Sequence, residues 1–324
     1  MRGDGFVFNM TSLLPNSKIN KNRTIPFLNF IKLNTFTQRL LLLSIILIFF
    51  QHLPAQDKPT MTADKVKLAA ILKKTREYCA KLENAAFHFV CLEEVTEKIS
   101  IPEDFTQDIT AVNLRDLDSS THRLKRTGKT DVNTFLYDYQ LIKKEGQDEE
   151  TRILLEKNRK KIHRKDAKLE IQQFRYEKLI FGPSGLLSQY WQRYYDYEIV
   201  EEEMSNGEKV VVIEAVPKAS LTEKYPFGKI WVRESDFAIL KIEWDEKSLE
   251  HLQTIKERAE RYRAVPQITL ISEFGFEKNE IRFPSRFTFE EAYLDPKGEK
   301  FIRLEIMVVY KDYKFFTVDV DVKY

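Results

Sequence analysis

The chain has 324 residues, 43% of them hydrophobic, and sets 52 Lys and Arg against 50 Asp and Glu for a formal net charge of +2. The two signs are interspersed, which leaves no basic face of the kind that neutralises a nucleic-acid backbone; Lys157-Asn158-Arg159-Lys160-Lys161 reads as solvated loop. Such a length buries one sizeable core and suits a single all-β domain.

Residues 1–56 carry six basic side chains and one acid, Asp4. In them Arg39 precedes an apolar run over 40–50, followed by Leu53-Pro54-Ala55-Gln56. A positive flank, a short apolar core and a small residue near the exit predict a leader ending in a secretory signal peptide, and hence a protein working outside the cytoplasm. The run falls short of the roughly 20 residues of a spanning helix; an uncleaved membrane anchor is the alternative. Residues 57–324 then form the expected mature domain, with a net charge near −3.

Asp64 to Glu83 reads as a helix, with Val66, Ala69, Ala70, Leu72, Tyr78 and Leu82 roughly on one stripe. After Asn84 the period becomes two: Phe87, Phe89, Cys91, Val95 and Ile99 alternate with His88, Glu94, Thr96 and Lys98, a half-buried strand. Residues 102–131 are polar and weakly patterned, an insertion. Val132 to Ile142 returns to strand; 145–168 turns, runs back at Arg152–Leu155 and ends in a charged tip.

Gly182-Pro183-Ser184-Gly185 opens a short helix carrying Leu186, Leu187, Tyr190, Trp191 and Tyr194. Val210 to Val216 is apolar on both faces, as in a covered strand. Ile230–Val232 and Ala238–Trp244 flank a turn, and 245–263 is a charged helical interruption with Leu249, Leu252 and Ile255 inward. Four alternating strands close the chain, carrying Ile268, Leu270, Phe274 and Phe276; Phe283, Phe287 and Phe289; Ile302, Leu304, Ile306, Val308 and Tyr310; and Phe316, Val318, Val320 and Val322. The expected fold is therefore mainly β: an N-terminal helix leading into about nine to eleven antiparallel strands, each apolar on one side, curled into a barrel, part-barrel or sandwich to bury that side.

Chemistry is sparse. His52, His88, His122, His163 and His251 stand at no metal-ligand spacing to one another, and no cysteine pair has the gap of a zinc site, so neither metal nor cofactor is expected. Gly182-Pro183-Ser184-Gly185 lacks the Gly-x-Ser-x-Gly of a nucleophile elbow and reads as helix initiation. Glu93-Glu94 and Glu201-Glu202-Glu203 lie in charged surroundings and are expected at the surface, where no burial tunes a carboxyl for acid–base work. No glycine loop cradles a phosphate. The chain reads as a non-enzyme. Cys79 and Cys91 form a candidate disulfide in an oxidising compartment, or else two buried thiols.

The phrases Tyr78-Cys79-Ala80-Lys81-Leu82, Phe89-Val90-Cys91-Leu92-Glu93-Glu94, Phe181-Gly182-Pro183-Ser184-Gly185-Leu186-Leu187, Phe227-Gly228-Lys229-Ile230-Trp231-Val232-Arg233 and Tyr310-Lys311-Asp312-Tyr313-Lys314-Phe315, in this order, resemble the periplasmic lipoprotein-carrier (LolA-like) superfamily and an uncharacterised secreted bacterial branch of it. The resemblance implies an open antiparallel half-barrel with helices across its concave face, sheltering lipid or lipoprotein acyl chains. The insertions at 102–131, 145–168 and 245–263 exceed a compact carrier. Candidate lining residues are Trp231, Trp244, Phe274, Phe287, Phe289, Leu304 and Ile306. Expected partners are an acyl chain and a protein of the envelope, with the chain itself a monomer; the alternative is a cell-envelope interaction module with a packed core and no ligand.

Overall fold

The structure, a computed structural model, describes residues 6–9, 63–100, 129–218, 225–249 and 252–316. Apart from residues 6–9, the expected leader lies outside them, as do nearly all of the 102–131 insertion and the tail after residue 316.

In chain order the elements are β1 (Phe6–Asn9), α1 (Ala63–Ala85), β2 (Phe89–Ser100), β3 (Thr130–Lys144), β4 (Gln147–Lys157), β5 (Lys160–Arg164), β6 (Phe174–Glu177), α2 (Gly182–Leu187), β7 (Tyr195–Ser205), β8 (Glu208–Pro217), β9 (Gly228–Arg233), β10 (Ile239–Trp244), α3 (Leu252–Tyr262), β11 (Val265–Glu273), β12 (Phe276–Lys278), β13 (Ile281–Phe283), β14 (Arg286–Leu294) and β15 (Lys300–Phe315). Eleven strands make one antiparallel sheet in the order β5-β4-β3-β2-β15-β14-β11-β10-β9-β8-β7. It is a meander from β7 to β15 onto which the first hairpins are added, because the last strand pairs with the first: Val308 lies opposite Val95 and Leu304 opposite Ile99. Among the described residues no ladder joins β5 to β7, so the sheet is open, as expected of a half-barrel. β12 pairs with β13, and β1 runs parallel to β6 with Phe6 opposite Phe174.

Turn chemistry fixes the hairpins. Glu145 and Gly146 both take positive φ (52° and 79°), as do Asn206 and Gly207 (51° and 81°). Two consecutive left-handed residues give the twist that two-residue hairpins require. The 145–168 segment is accordingly less loop than its charge suggests. It supplies β4, whose Leu154 is fully buried, and β5, the outermost strand, whose five residues are all exposed.

One face of the sheet is covered. Its inner residues include Phe135, Tyr137, Tyr139 and Leu141 of β3, Leu304, Ile306 and Val308 of β15, Phe287 and Phe289 of β14, and Ile230 and Val232 of β9. They share one core with α1, α2, α3 and residues 171–181. The buried stripe of α1 is Ile71, Thr75, Tyr78, Cys79 and Leu82. That is a helical repeat rotated from the expected one, and Val66 is 55% exposed. Tyr78 belongs to both stripes, and its hydroxyl accepts from Arg282 N at 2.8 Å, fastening this flank of the helix to the β12–β13 hairpin. Ile255 and Ala259 bury α3, with Tyr262 edge-on to Tyr293 at 4.8 Å.

The candidate disulfide is not formed: Cys79 and Cys91 are free thiols, both buried. Cys79 faces Ser184 of α2 whereas Cys91 faces Tyr313 of β15, so each is packed against a different element. Burial pushes both thiols up, which leaves them unreactive as nucleophiles.

Gly228 tests the packing of this sheet. A Cβ there would penetrate the Glu243 carbonyl oxygen and reach 2.8 Å from Trp244 Cα, both backbone atoms. Gly228→Ala should destabilise the protein by more than the 1–3 kcal/mol or so of ordinary overpacking, measured by chemical unfolding; an unchanged midpoint would contradict the register of β9 on β10.

Candidate functional site

Alternation along β2 puts Phe89, Cys91, Glu93, Val95, Glu97 and Ile99 on the covered face, so two glutamates descend into the core. Glu93 and Glu97 are each 0% exposed, as is Glu291 on β14. This corrects the expectation for Glu93. It is in phase with Cys91 and Val95, and its burial is made tolerable by the partners it finds. Glu94, out of phase, is exposed on the other face and pairs with Lys311 at 2.5 Å. Glu201 and Glu202 are exposed on β7 as expected, with Glu203 half-buried.

An unpaired buried carboxylate costs several kcal/mol, so buried charges come with partners. Arg152 of β4, 6% exposed, donates to both Glu93 oxygens at 2.6 and 3.1 Å and to Glu150 at 3.1 Å. Tyr176 and Tyr310 donate to Glu93 Oε1 at 3.1 and 2.9 Å, and Tyr139 donates to Glu150 at 2.9 Å. Burial, and then the charge of Glu93, pushes the Tyr176 and Tyr310 hydroxyls up, so they remain donors. Burial alone would lower Arg152, but Glu150 and Glu93 outweigh it and hold the guanidinium charged.

These groups pin a segment, here the strap, which crosses the covered face over residues 169–181. Glu97 Oε1 accepts from the backbone N–H groups of Gln172 and Gln173 at 2.8 and 3.1 Å. Glu150 Oε1 accepts from Lys178 N at 2.6 Å. Arg303 donates at 3.2 Å both to Glu291 and to the Gln173 side chain, while Arg258 of α3 makes two bonds to Glu291 at 2.8 and 2.9 Å. Every one of these pins ends on a side chain. β6, within the strap, has main-chain pairing with β1 and none with the eleven-stranded sheet.

Beneath the strap lies the apolar surface. Phe174 stacks on Phe289 with centroids 4.2 Å apart and an interplanar angle of 8°, and stands 6.1 Å from Phe287; Tyr176 meets Phe287 at 5.4 Å. Six of the seven candidate lining residues, Trp244, Phe274, Phe287, Phe289, Leu304 and Ile306, are buried in the core, Phe287 and Phe289 directly under the strap rings, with the Trp244 indole donating to Ser272 at 3.1 Å. Trp231 is elsewhere. It pairs with Val212 and faces the opposite side of the sheet, under the Lys241 ammonium at 3.4 Å. The sequence reading missed the strap aromatics Phe174 and Tyr176 and the pins Glu93, Glu97, Arg152 and Glu291. Strand phase alone pointed to Glu93 and Glu97.

Of the other expectations, Gly182-Pro183-Ser184-Gly185 opens a six-residue helix, wholly buried, with Pro183 in its first turn. His88 contacts the Asn84 carbonyl at 2.8 Å. Among the described residues no group of three or more His, Cys, Asp or Glu is arranged to hold a metal, and no helix is long and apolar enough to cross a membrane.

Comparison with known proteins adds the following. A family model described as an uncharacterized protein matches residues 173–297. No curated protein matches. Similar solved structures are a DUF1329 family protein from Desulfovibrio piger (11% identity, TM-score 0.33, covering 78% of this chain and 95% of that one) and a LolA superfamily protein from Nitrosomonas europaea (14%, 0.31, 78% and 94%). A third, from Vibrio parahaemolyticus, is described as an outer membrane lipoprotein-sorting protein domain (12%, 0.32, 77% and 95%). Likenesses of this degree say nothing about a ligand.

Two outcomes test the pins. Arg152→Ala leaves two buried carboxyl groups without their cation and should cost about 3–5 kcal/mol of stability, read by denaturant unfolding; a loss below 1 kcal/mol would mean the cluster is solvated. Glu177, at the end of β6, is raised above its ordinary 4.5 by burial and then by Glu150. With the folded value above the unfolded one, its contribution to stability is complete below the unfolded value and is lost as pH rises through the folded one. Amide protection of 172–178, corrected for intrinsic exchange, should therefore fall between mildly acid and neutral pH, and Glu177→Gln should flatten that fall.

Proposed function

We propose that this is a non-enzymatic periplasmic protein that binds a lipid or lipoprotein acyl chain on the covered face of the sheet, in the space the strap aromatics now fill. One observation carries the reading: the ring of Phe174 lies flat on Phe289 and that of Tyr176 packs at a tilt on Phe287, yet their segment is fastened by side-chain pins and not by the ladder of the main sheet. A segment so held lifts without unravelling the sheet beneath it. An alkyl chain entering in its place stays buried, each methylene contributing about 0.8 kcal/mol. Trp244, Phe274, Phe287, Phe289, Leu304 and Ile306 would form the floor, and Trp231 takes no part.

The second reading, an envelope interaction module with a solid interior, draws on the same stacking: the floor is covered by the protein's own rings. The two part on uptake. Native mass spectrometry of gently extracted protein should show a bound lipid mass that a fluorescent acyl probe displaces. Phe174→Ala should bind the probe more tightly while losing about 3–5 kcal/mol of stability. Protein free of lipid that takes up no probe, in wild type and variant alike, would establish the solid module instead.

A further inference from the structure

Residues 157–168 hold seven Lys and Arg against one acid, Asp166, although the whole chain carries a formal charge of only +2. The structure places them on a hairpin edge and not in a loop. Asn158 and Arg159, both at positive φ (49° and 64°), turn β4 into β5. Asn158 holds that turn to β3: its Oδ1 accepts from Thr134 N at 2.8 Å, and its own N–H donates to the Thr134 carbonyl at 2.8 Å. β5 is the outermost strand of the sheet, with all five residues exposed. Lys157 and Lys160 lie directly opposite each other, a like-charge pairing that costs the hairpin stability.

The acid that answers these bases is Glu170, at the start of the strap. Lys157 bonds it at 2.8 Å, and Arg164 pairs with it as well. The Lys157 and Arg164 side chains are 44% and 53% exposed, so both pairs are open to water, contribute little, and exchange readily for another anion. Among the described residues no acid pairs with Arg159, Lys160 or Lys161. Charge complementarity therefore calls for a polyanion. Bases along an edge strand deter a further strand from adding, so the side chains and not the main chain are on offer. Ile162, 39% exposed among them, suits a headgroup layer over acyl chains and has no match in a nucleic-acid backbone. We infer that the β4–β5 hairpin docks on the surface of an anionic phospholipid bilayer, where Lys157 and Arg164 exchange Glu170 for lipid phosphates. The choice of a bilayer rests on the acyl-chain reading above, since a bilayer holds such cargo. The exchange loosens the start of the strap at the surface from which a chain would enter.

The test floats the full chain with vesicles of phosphatidylcholine, alone or with about 30 mol% phosphatidylglycerol. Binding should be saturable on the anionic vesicles only, and should fall at least about tenfold between about 50 and 500 mM NaCl. Each base near such a surface is worth about fivefold. The triple variant Arg159→Gln, Lys160→Gln, Lys161→Gln should thus weaken binding at least about tenfold with no loss of thermal stability. Lys229→Gln, Lys256→Gln, Lys297→Gln, exposed elsewhere, should not. Glu170→Gln, which frees Lys157 and Arg164, should tighten binding about two- to fivefold, whereas Glu198→Gln on the far edge strand β7 should leave it as it was. Equal binding to both vesicle types, binding indifferent to the hairpin bases or to Glu170, or capture of heparin or self-association in place of vesicle binding would each overturn the assignment. No acyl probe is present, so a failure to dock and a failure to take up acyl chains are separate results.

Discussion

Three glutamates forced into an apolar interior organise this protein. Glu93, Glu97 and Glu291 sit on the covered face of a β-sheet because strand phase leaves them nowhere else to point. Each has to find hydrogen-bond donors there, since an unmatched buried carboxyl costs more than most single contacts return. The donors come from a strand two places along the sheet, a helix and a loop: Arg152 from β4, Arg258 from α3, and backbone amides of the strap. The carboxyl groups thereby specify where the cover lies. Apolar packing alone, being non-directional, would let the strap slide over the floor of Phe and Leu side chains.

That division of labour between a greasy floor and polar pins is what links fold to function. A cover continued from the main sheet by a main-chain ladder would be as durable as the sheet itself. A cover fastened by a few side chains is separable from it, and the floor beneath would remain one apolar surface ready for another occupant. The other side of the sheet differs in kind. There Val210 and Val212 are buried, but Trp231 lies under the Lys241 ammonium among charges of both signs.

Much of the architecture was legible in the sequence. Period-two alternation located β2, β3, β14 and β15, a run apolar on both faces located β8, and the expected nine to eleven strands agree with the eleven in the main sheet. The charged 145–168 segment reads poorly because an edge strand such as β5 buries nothing and so carries no pattern. The floor residues could be found because large apolar side chains in phase declare a buried face, whereas Trp231 was misplaced on its size alone, since it alternates with Ile230 and Val232 and shares its face of β9 with Lys229 and Arg233. The pins were hidden for the opposite reason. Charged residues read as surface until a partner distant in sequence is known, and Arg152 is separated from Glu93 by 59 positions. The strap has no regular period to announce it; only its contacts, Phe174 on Phe289 above all, reveal what it does.

The most direct measurement is a pair of spin labels, one at Arg175→Cys on the exposed side of the strap and one at Glu94→Cys on the uncovered face of β2, with the buried Cys79 and Cys91 left in place. If the strap yields its place to an acyl chain, the inter-label distance distribution should shift to longer values when a long-chain fatty acid is added in excess. An unchanged distribution with the fatty acid demonstrably bound would show that the strap never leaves the floor.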